Sequence, residues 1–223
     1  MGTRRKPPQP YRLADQTAKR LIVRTQKRVE ESKRKLSVMD FDEVNALKET
    51  IRLYQNLYED CKKEWKQLYR DRYTEMWLYL KGKKPDEDEI DELVAMEFAQ
   101  LLYAPHPVTR YVFDSEVIRK RDRVWEDMEA SPTKTQKQIA LDKGARFWVQ
   151  MTGWYTDFTS QDAEIKAYEK AGIKKLRRRE MNDEKVCQTC RELDGKVYEV
   201  KKIPPLEHLR CRRWFEPVKR SEP

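Results

Sequence analysis

Apolar residues recur every three or four positions along most of the chain, which is the spacing of amphipathic helices. The longest such run begins at Asp40, a good N-cap residue that is followed three residues later by Glu43. It continues loosely to Tyr79, and Gly82 ends it, so the predicted helix is roughly 60 Å long. Tyrosine and tryptophan in its heptad stripe favour packing against neighbouring helices over a leucine zipper. The stripe comprises Val44, Leu47, Ile51, Tyr54, Tyr58, Cys61, Trp65 and Leu68.

Weaker helical patterns lie on both sides of this run. One covers residues 13–36 and is too basic to be stable alone, and another follows the acidic stretch 86–91. His106 stands between two prolines without a ligand partner nearby, so we expect an exposed turn residue. Further helices are predicted over residues 115–130, from Thr133 onward with Ile139, Phe147, Trp148 and Met151, and over residues 160–171. The helix after residue 86 has the apolar face Ile90, Leu93, Val94, Phe98, Leu101 and Leu102.

The period changes after Gly172, where residues 173–181, 196–200 and 213–218 alternate like strands and Asp194-Gly195 marks a turn. The predicted fold class is therefore α+β and mostly helical, with an extended multi-helix body followed by a small β-rich module. The predicted divisions are a flexible basic arm at 1–12, the helical body at 13–172, the β module at 173–219 and a tail at 220–223.

Composition limits the size of any single core. Charged residues make up 39% of the chain, hydrophobic residues make up 38%, and the mean hydropathy is −1.01. Six tryptophans and eleven tyrosines argue against a disordered chain, because such chains are poor in aromatic residues. We expect no membrane span, since no apolar run reaches 18 residues, and no secretory signal, since the basic N-terminus lacks an apolar segment. The cysteine usage suits synthesis in a reducing cytoplasm.

The net charge of +9 is concentrated at the two ends of the chain. Residues 1–35 contain twelve Lys and Arg against three acids, and residues 174–220 contain fifteen against eight, whereas the middle is acidic. Basic ends suit contacts with phosphates, and the alternative is that they are solubilising faces. The predicted DNA-contacting residues are Arg4, Arg5, Lys6, Lys174, Lys175, Arg177, Arg178, Arg179, Arg212 and Arg213.

Four residues near the C-terminus have the spacing of a metal site. Cys187, Cys190, His208 and Cys211 form the pattern Cys-x2-Cys-x17-His-x2-Cys, and two tight pairs across a loop-sized insert suit tetrahedral zinc. The alternative is that the cysteines are ordinary buried residues. A redox Cys-x-x-Cys is disfavoured because no thioredoxin-like strand–helix pattern surrounds it.

Four protein ligands would close the coordination sphere, so the predicted zinc is structural and no position remains for an activated water. Asp183, Glu184 and Asp194 lie near the motif and resemble general bases, but acids in so charged a segment are typically solvated or capping groups. The chain has no catalytic triad or nucleotide-binding motif, and we expect it not to be an enzyme.

The cysteine-containing segment resembles a known family. Residues 183–198, with Val186-Cys187, Cys190 and the turn Leu193-Asp-Gly-Lys, then Pro204-Pro205 and His208-x-x-Cys211-Arg212, are similar to the phage head morphogenesis family. These are the Mu-F-like minor head proteins of tailed bacteriophages. The dense similarity covers about forty residues. The chain departs from the family pattern at Arg213, where a further cysteine is common, and at residues 179–181, where a Trp-x-Thr element is common.

The resemblance implies a minor capsid protein in the virion, close to the portal vertex, which assists head assembly and contacts packaged double-stranded DNA. It implies a portal or major capsid protein as partner and no membrane. Two other readings remain open at this point. One is a zinc-dependent nucleic-acid-binding protein, either a regulator or a processing factor, unconnected to a capsid. The other is an enzyme, a nuclease or toxin that borrows the same domain.

Overall fold

The computed structural model describes residues 7–38, 43–181, 186–209, 211 and 213–218. Five long helices precede a small three-stranded antiparallel sheet, which confirms the predicted mostly helical α+β class. The predicted N-cap Asp40 lies outside the described residues. The elements are α1 (Arg12–Val38), α2 (Glu43–Lys81), α3 (Glu87–Tyr103), α4 (Phe113–Glu129), α5 (Lys134–Lys170), β1 (Lys175–Glu180), α6 (Gln188–Leu193), β2 (Val197–Glu199), a 3-10 turn (Val200–Lys202) and β3 (Arg213–Pro217).

Helices α1, α2 and α5 pack against one another along their length and form the body of the molecule. With 39 residues α2 is about 58 Å long, so the body is elongated. The basic helix α1 is held by acids on α2, since Arg20 and Arg24 both pair with Glu64 and Arg28 pairs with Asp60. None of the helices in the described part of the chain combines the length and apolar character needed to cross a membrane.

The buried face of α2 is wider than the predicted heptad stripe. Tyr54, Cys61, Trp65 and Leu68 are buried as predicted, but Val44 is 58% exposed. Helix α2 contacts α1, α3, α4 and α5, so residues between the stripe positions are buried as well. These include Leu53, Leu57, Tyr69, Tyr73 and Met76. Trp65 lies at the centre, stacked against Tyr155 and in edge-to-face contact with Phe113.

Helix α3 follows the sequence prediction closely. All six apolar positions predicted for its inner face are buried. Asp86 is the N-cap, and its carboxylate accepts hydrogen bonds from the backbone N–H groups of Asp88 (3.1 Å) and Glu89 (3.3 Å). The helix ends at Tyr103, because Pro105 and Pro107 cannot continue it.

Helix α5 is continuous, and the prediction of two separate helices in this region was wrong. The predicted division fell in a polar stretch, yet Thr152, Thr156 and Thr159 there are buried. The hydroxyls of Thr156 and Thr159 each donate to the carbonyl four residues earlier at 2.7 Å, and Trp65 Nε1 donates to Thr156 Oγ1 at 2.8 Å. Satisfied hydroxyls of this kind lie inside a helix bundle at little cost.

Two glycines in α5 differ sharply in their surroundings. A Cβ on Gly144 would lie 2.5 Å from Val124 Cγ2 and 2.7 Å from Tyr54 Oη, whereas one on Gly153 would meet nothing within 4 Å. We expect Gly144→Ala to destabilise the fold by about 1–3 kcal/mol through overpacking. We expect Gly153→Ala to stabilise it by about 0.5–1 kcal/mol through helix propensity. Urea unfolding of both variants tests this, and effects of the same sign would contradict the close approach at residue 144.

His106 is buried, so the prediction of an exposed turn residue was wrong. Its side chain is 1% exposed and packs against Tyr155 and Phe158. The ring Nδ1 accepts the backbone N–H groups of Val108 and Thr109, both at 3.3 Å, and thereby organises the loop between α3 and α4. The prolines do form a turn, but the ring points inward. Burial lowers the pKa of His106 to about 4.

The lowered pKa of His106 predicts a loss of stability in acid. The unfolded chain takes up the proton near pH 6.5 and the folded chain only near pH 4, so the free energy of unfolding falls as the pH drops through this window. We expect the wild type to lose about 2–3 kcal/mol more than His106→Asn between pH 7 and pH 4.5. The asparagine keeps an acceptor for the loop without titrating. Equal losses in chemical denaturation at the two pH values would exclude His106 as the cause.

Strand β1 is the centre of the sheet, in the order β2-β1-β3, with both neighbours antiparallel. Leu176 from β1, Phe215 from β3 and Val200 belong to the same buried core as the helices. Tyr168 on α5 donates to the carbonyl of Phe215 at 2.7 Å. The chain changes from helix to strand near the predicted boundary at residue 173, but the core continues across it.

Tyr11 fixes the start of α1 against the end of the sheet. It is 4% exposed, and its hydroxyl donates to the carbonyls of Cys211 (3.1 Å) and Arg213 (2.5 Å). Burial raises the pKa of Tyr11 well above its usual value, which leaves the phenol as a donor at any physiological pH. Tyr11 and Arg12, which the sequence prediction placed in the arm, therefore belong to the folded body, and residues 1–6 lie outside the described part.

Candidate metal centre

The first pair of predicted ligands lies at the start of the short helix α6, which sequence reasoning did not predict. Cys187 is its N-cap, with extended backbone, and its Sγ accepts the N–H of Cys190 at 3.4 Å. The second pair is formed by a turn in which the N–H of Cys211 donates to the carbonyl of His208 at 3.3 Å. Gly195, with φ of 79°, reverses the chain between the two pairs. Each of the two tight turns thus brings one pair of predicted ligands together.

The four predicted ligands lie close together and can hold a metal ion. His208 Nε2 is 3.2 Å from Cys187 Sγ and 3.1 Å from Cys190 Sγ, and the sulfurs of Cys190 and Cys211 are 3.7 Å apart. With zinc–sulfur bonds of about 2.3 Å, the sulfur–sulfur edge of a tetrahedron is about 3.8 Å. The separation of Cys190 and Cys211 matches that edge and is far too long for a disulfide. The nitrogen–sulfur distances are a little shorter than such an edge.

The imidazole of His208 is oriented for a metal. Its Nδ1 is 2.9 Å from the carbonyl oxygen of Leu209, which can only accept, so the proton lies on Nδ1. The lone pair of Nε2 then points at the two sulfurs. A backbone carbonyl that fixes the tautomer in this way is the usual outer partner of a metal-bound histidine. The same bond raises the pKa of His208.

The three thiols differ in their electrostatic surroundings. The backbone N–H of Cys190 lowers the pKa of Cys187, whose sulfur is the least buried of the three. Burial raises the pKa of Cys190 and of Cys211. A buried thiol loses its proton readily only when a metal ion or another cation lies beside the sulfur. The positive charge of a divalent ion stabilises the thiolate and outweighs the cost of its desolvation. Three thiols in these surroundings are expected to bind a thiophilic cation.

Buried charges surround the sulfurs on their inner side. Arg178 is completely buried, and its Nη2 donates to Sγ of Cys190 (3.5 Å) and of Cys211 (3.8 Å). Its other nitrogens bind Glu180 and Glu207. Burial raises the pKa of Glu180. Burial opposes ionisation of Glu207 as well, but its bond from Arg178 and the charge of Arg213 outweigh that effect and lower the pKa of Glu207.

Apolar residues and three distant segments close the site. Val186 and Leu206 form a small buried cluster with Cys190 and Cys211, and Val108 from the loop between α3 and α4 packs against it. Gln161 on α5 donates to the carbonyl of Cys211 at 3.3 Å, alongside Tyr11. The loop between α3 and α4, the helix α5 and the N-terminal segment therefore all contact the metal-ligand segment.

Arg178 and Arg213 are not available to DNA, so the prediction of nucleic-acid contact is wrong for these two residues. Arg213 is 3% exposed and donates to the carbonyls of Pro204 (2.7 Å) and Pro205 (3.0 Å). The strand pattern contained a signal for Arg178, because Leu176, Arg178 and Glu180 alternate onto one face and Leu176 is apolar.

The other predicted DNA-contacting residues are placed differently. Lys174 and Lys175 are exposed, and Arg177 and Arg179 are half-buried on the outer face of β1, near Glu216. Arg4, Arg5, Lys6 and Arg212 lie outside the described residues. Of the acids that resemble general bases, Asp194 accepts the N–H of Glu180 at 2.9 Å, and Asp183 and Glu184 lie outside the described residues.

Comparisons of the chain with protein-family models, with curated proteins and with solved structures found no match.

Proposed function

We propose that this protein is a minor head protein of a tailed phage, in which a structural zinc ion joins the terminal sheet to an elongated helical body. The observation that supports it best is the cluster of Cys187, Cys190, His208 and Cys211, since these are the positions at which the sequence resembles the Mu-F-like family. Three sulfurs and one imidazole nitrogen suit zinc and complete a tetrahedron. A closed site of this kind stabilises structure and does not activate water.

The proposed setting is the phage head, close to the portal vertex, with a portal or major capsid protein as partner. An elongated helical body suits a protein that packs along a larger assembly. Packaged double-stranded DNA is the second proposed partner. Tyr11 bonds to the carbonyls of Cys211 and Arg213, so the start of α1 lies beside the end of the basic C-terminal segment. Phosphate contacts made by exposed basic residues near this point would add up.

Metal analysis combined with portal binding tests this function. We expect about one zinc ion per purified chain by mass spectrometry, and co-sedimentation of the zinc-loaded chain with assembled portal rings. Chelation is expected to remove both the zinc and part of the circular dichroism signal. Duplex binding without any association with portal or capsid would favour the alternative of a free zinc-dependent nucleic-acid-binding protein. A chain without zinc would contradict the metal centre itself.

The DNA contact is tested by reversing charge at an exposed pair. We expect Lys174→Glu with Lys175→Glu to weaken duplex binding and to reduce the slope of log affinity against log salt by about 2, because two phosphate contacts are lost. Lys83→Glu with Lys84→Glu is the matched control, since this pair is also exposed but follows α2 in the acidic middle of the chain. Equal salt slopes for the two double variants would exclude the Lys174–Lys175 surface.

A further inference from the structure

Arg178 is the one side chain in the described part of the chain whose guanidinium donates to two of the predicted ligand sulfurs. We infer that Arg178 is a positioning residue of the metal centre, which holds the thiolates of Cys190 and Cys211 in place and suppresses their reactivity. As a consequence, Cys187 is the chemically reactive ligand. The inference rests on the proposed zinc centre and adds that its three sulfurs differ in reactivity.

Charge gives the first argument. Three thiolates and a neutral imidazole around a divalent ion carry a net charge of −1, and Glu180 and Glu207 lie on the same side of the site. Without Arg178, Arg213 would be the remaining buried cation among the described residues there. Uncompensated charge of this kind is costly in a low-dielectric interior. The guanidinium supplies the compensation in direct contact with sulfur.

Geometry gives the second argument. Arg178 is fixed by its two carboxylate partners: Nε binds Glu180 at 2.5 Å, and Nη1 binds Glu207. These bonds leave Nη2 aimed at the gap between Cys190 and Cys211. A planar guanidinium satisfies all these acceptors at once, whereas the single nitrogen of a lysine cannot bond two carboxylates and two sulfurs in the same arrangement. The position therefore requires arginine, and outer contacts of this type tune metal sites.

The three sulfurs are consequently unequal. Cys190 and Cys211 are 2% and 1% exposed and accept N–H groups from Arg178. Cys187 is less buried, and the N–H group that bonds to its sulfur belongs to the neutral backbone amide of Cys190, whereas the donor to the other two sulfurs is a charged guanidinium. A hydrogen bond to a thiolate withdraws electron density from sulfur, and nucleophilic attack by cysteine depends on that density and on access. Electrophiles should therefore reach and modify Cys187 first.

Site-resolved alkylation tests this inference on the zinc-loaded full chain. The protein is treated with iodoacetamide, and the modified peptides are quantified by mass spectrometry over time. We expect Cys187 to react roughly tenfold or more faster than Cys190 and Cys211 in the wild type. In Arg178→Met we expect Cys190 and Cys211 to react markedly faster and the zinc affinity to fall by about 10–100-fold. Cys61, buried in the helical body and remote from the motif, reports global unfolding.

Two variants complete the design. Arg179→Met is the matched control, because Arg179 is adjacent but lies on the outer face of β1 and binds Glu216. If alkylation of Cys61 shows that Arg178→Met unfolds the protein, Arg178→Lys replaces it, because lysine keeps the positive charge. We expect Cys190 and Cys211 in Arg178→Lys to react at rates between those of the wild type and Arg178→Met. Zinc bound to a wild type whose three cysteines react equally, or an Arg178→Lys variant that matches Arg179→Met, would overturn the inference alone. A wild type without zinc would instead overturn the metal centre.

Discussion

Replacing Cys211 with serine is expected to abolish binding of the proposed zinc ion and to loosen three segments that are distant in sequence. The ligand segment loses its cross-link, and metal binding in small modules contributes roughly 10–16 kcal/mol of apparent folding free energy. The loop that contains Val108 packs against the same cluster, and Tyr11 bonds to the backbone of Cys211 itself. The loss should therefore extend to the loop between α3 and α4 and to the start of α1.

Hydrogen exchange read by mass spectrometry measures this spread. We expect faster exchange in residues 105–112 and at the N-terminal turn of α1, as well as in residues 186–218, while the middle of α2 stays protected. Cys61→Ser is the control, because it changes a buried cysteine that is not a ligand and should leave zinc bound. Exchange that rises only within residues 186–218 would show that the contacts of Val108 and Tyr11 do not carry the loss of stability to the loop or to α1.

Replacing Arg72 with methionine is expected to cost about 3–5 kcal/mol of unfolding free energy. Arg72 on α2 is 1% exposed and bonds to Glu164 on α5, which is itself 5% exposed. Glu164 also accepts the N–H of Phe215 at 3.3 Å, so the pair joins two helices to β3. Removal of the arginine leaves a buried carboxylate with no counter-charge from α2.

Denaturant unfolding of three variants separates this pair from an ordinary ion pair. Arg70→Met is the matched control, since Arg70 lies two residues before Arg72 on α2 and binds the exposed Glu87 and Asp91. Exposed ion pairs of this kind contribute about 1 kcal/mol or less to stability. Adding Glu164→Gln to Arg72→Met should recover part of the loss, because the stranded charge is removed. A loss at Arg72 no greater than that at Arg70 would refute the role of burial.

The sequence was a good guide wherever periodicity and capping agreed. Helix α3 has an acidic N-cap, a regular apolar face and a proline stop, and all three signals lie within one short segment. The four candidate metal ligands were equally visible, because tetrahedral coordination imposes a spacing on nearby residues and the structure brings these four close together. Helix α5 was divided wrongly since its buried face includes Thr152, Thr156 and Thr159, whose hydroxyls bond locally or to Trp65. Burial of small polar residues leaves no hydrophobic pattern.

The contacts that could not be predicted join segments far apart in the chain. The inward position of His106 depends on Tyr155 and Phe158, about fifty residues later. The burial of Arg178 depends on Glu207 and Arg213, which become neighbours only when the sheet forms. A run of arginines reads as a phosphate-binding surface until its acidic partners are located in space. Charge patterning along the chain therefore placed two buried arginines, Arg178 and Arg213, in the predicted DNA-contacting set.

The contact of Tyr11 with Cys211 and Arg213 has a consequence for synthesis. These hydrogen bonds span 200 and 202 residues, so α1 cannot anchor its start during translation until Cys211 and Arg213 have emerged from the ribosome. Contacts of such long range form late and slow the folding of a domain. Until then the phenol of Tyr11 is exposed, and a chain that stalls or is cleaved before Cys211 keeps it so. Burial of Tyr11 thus reports that translation has passed the metal-ligand segment.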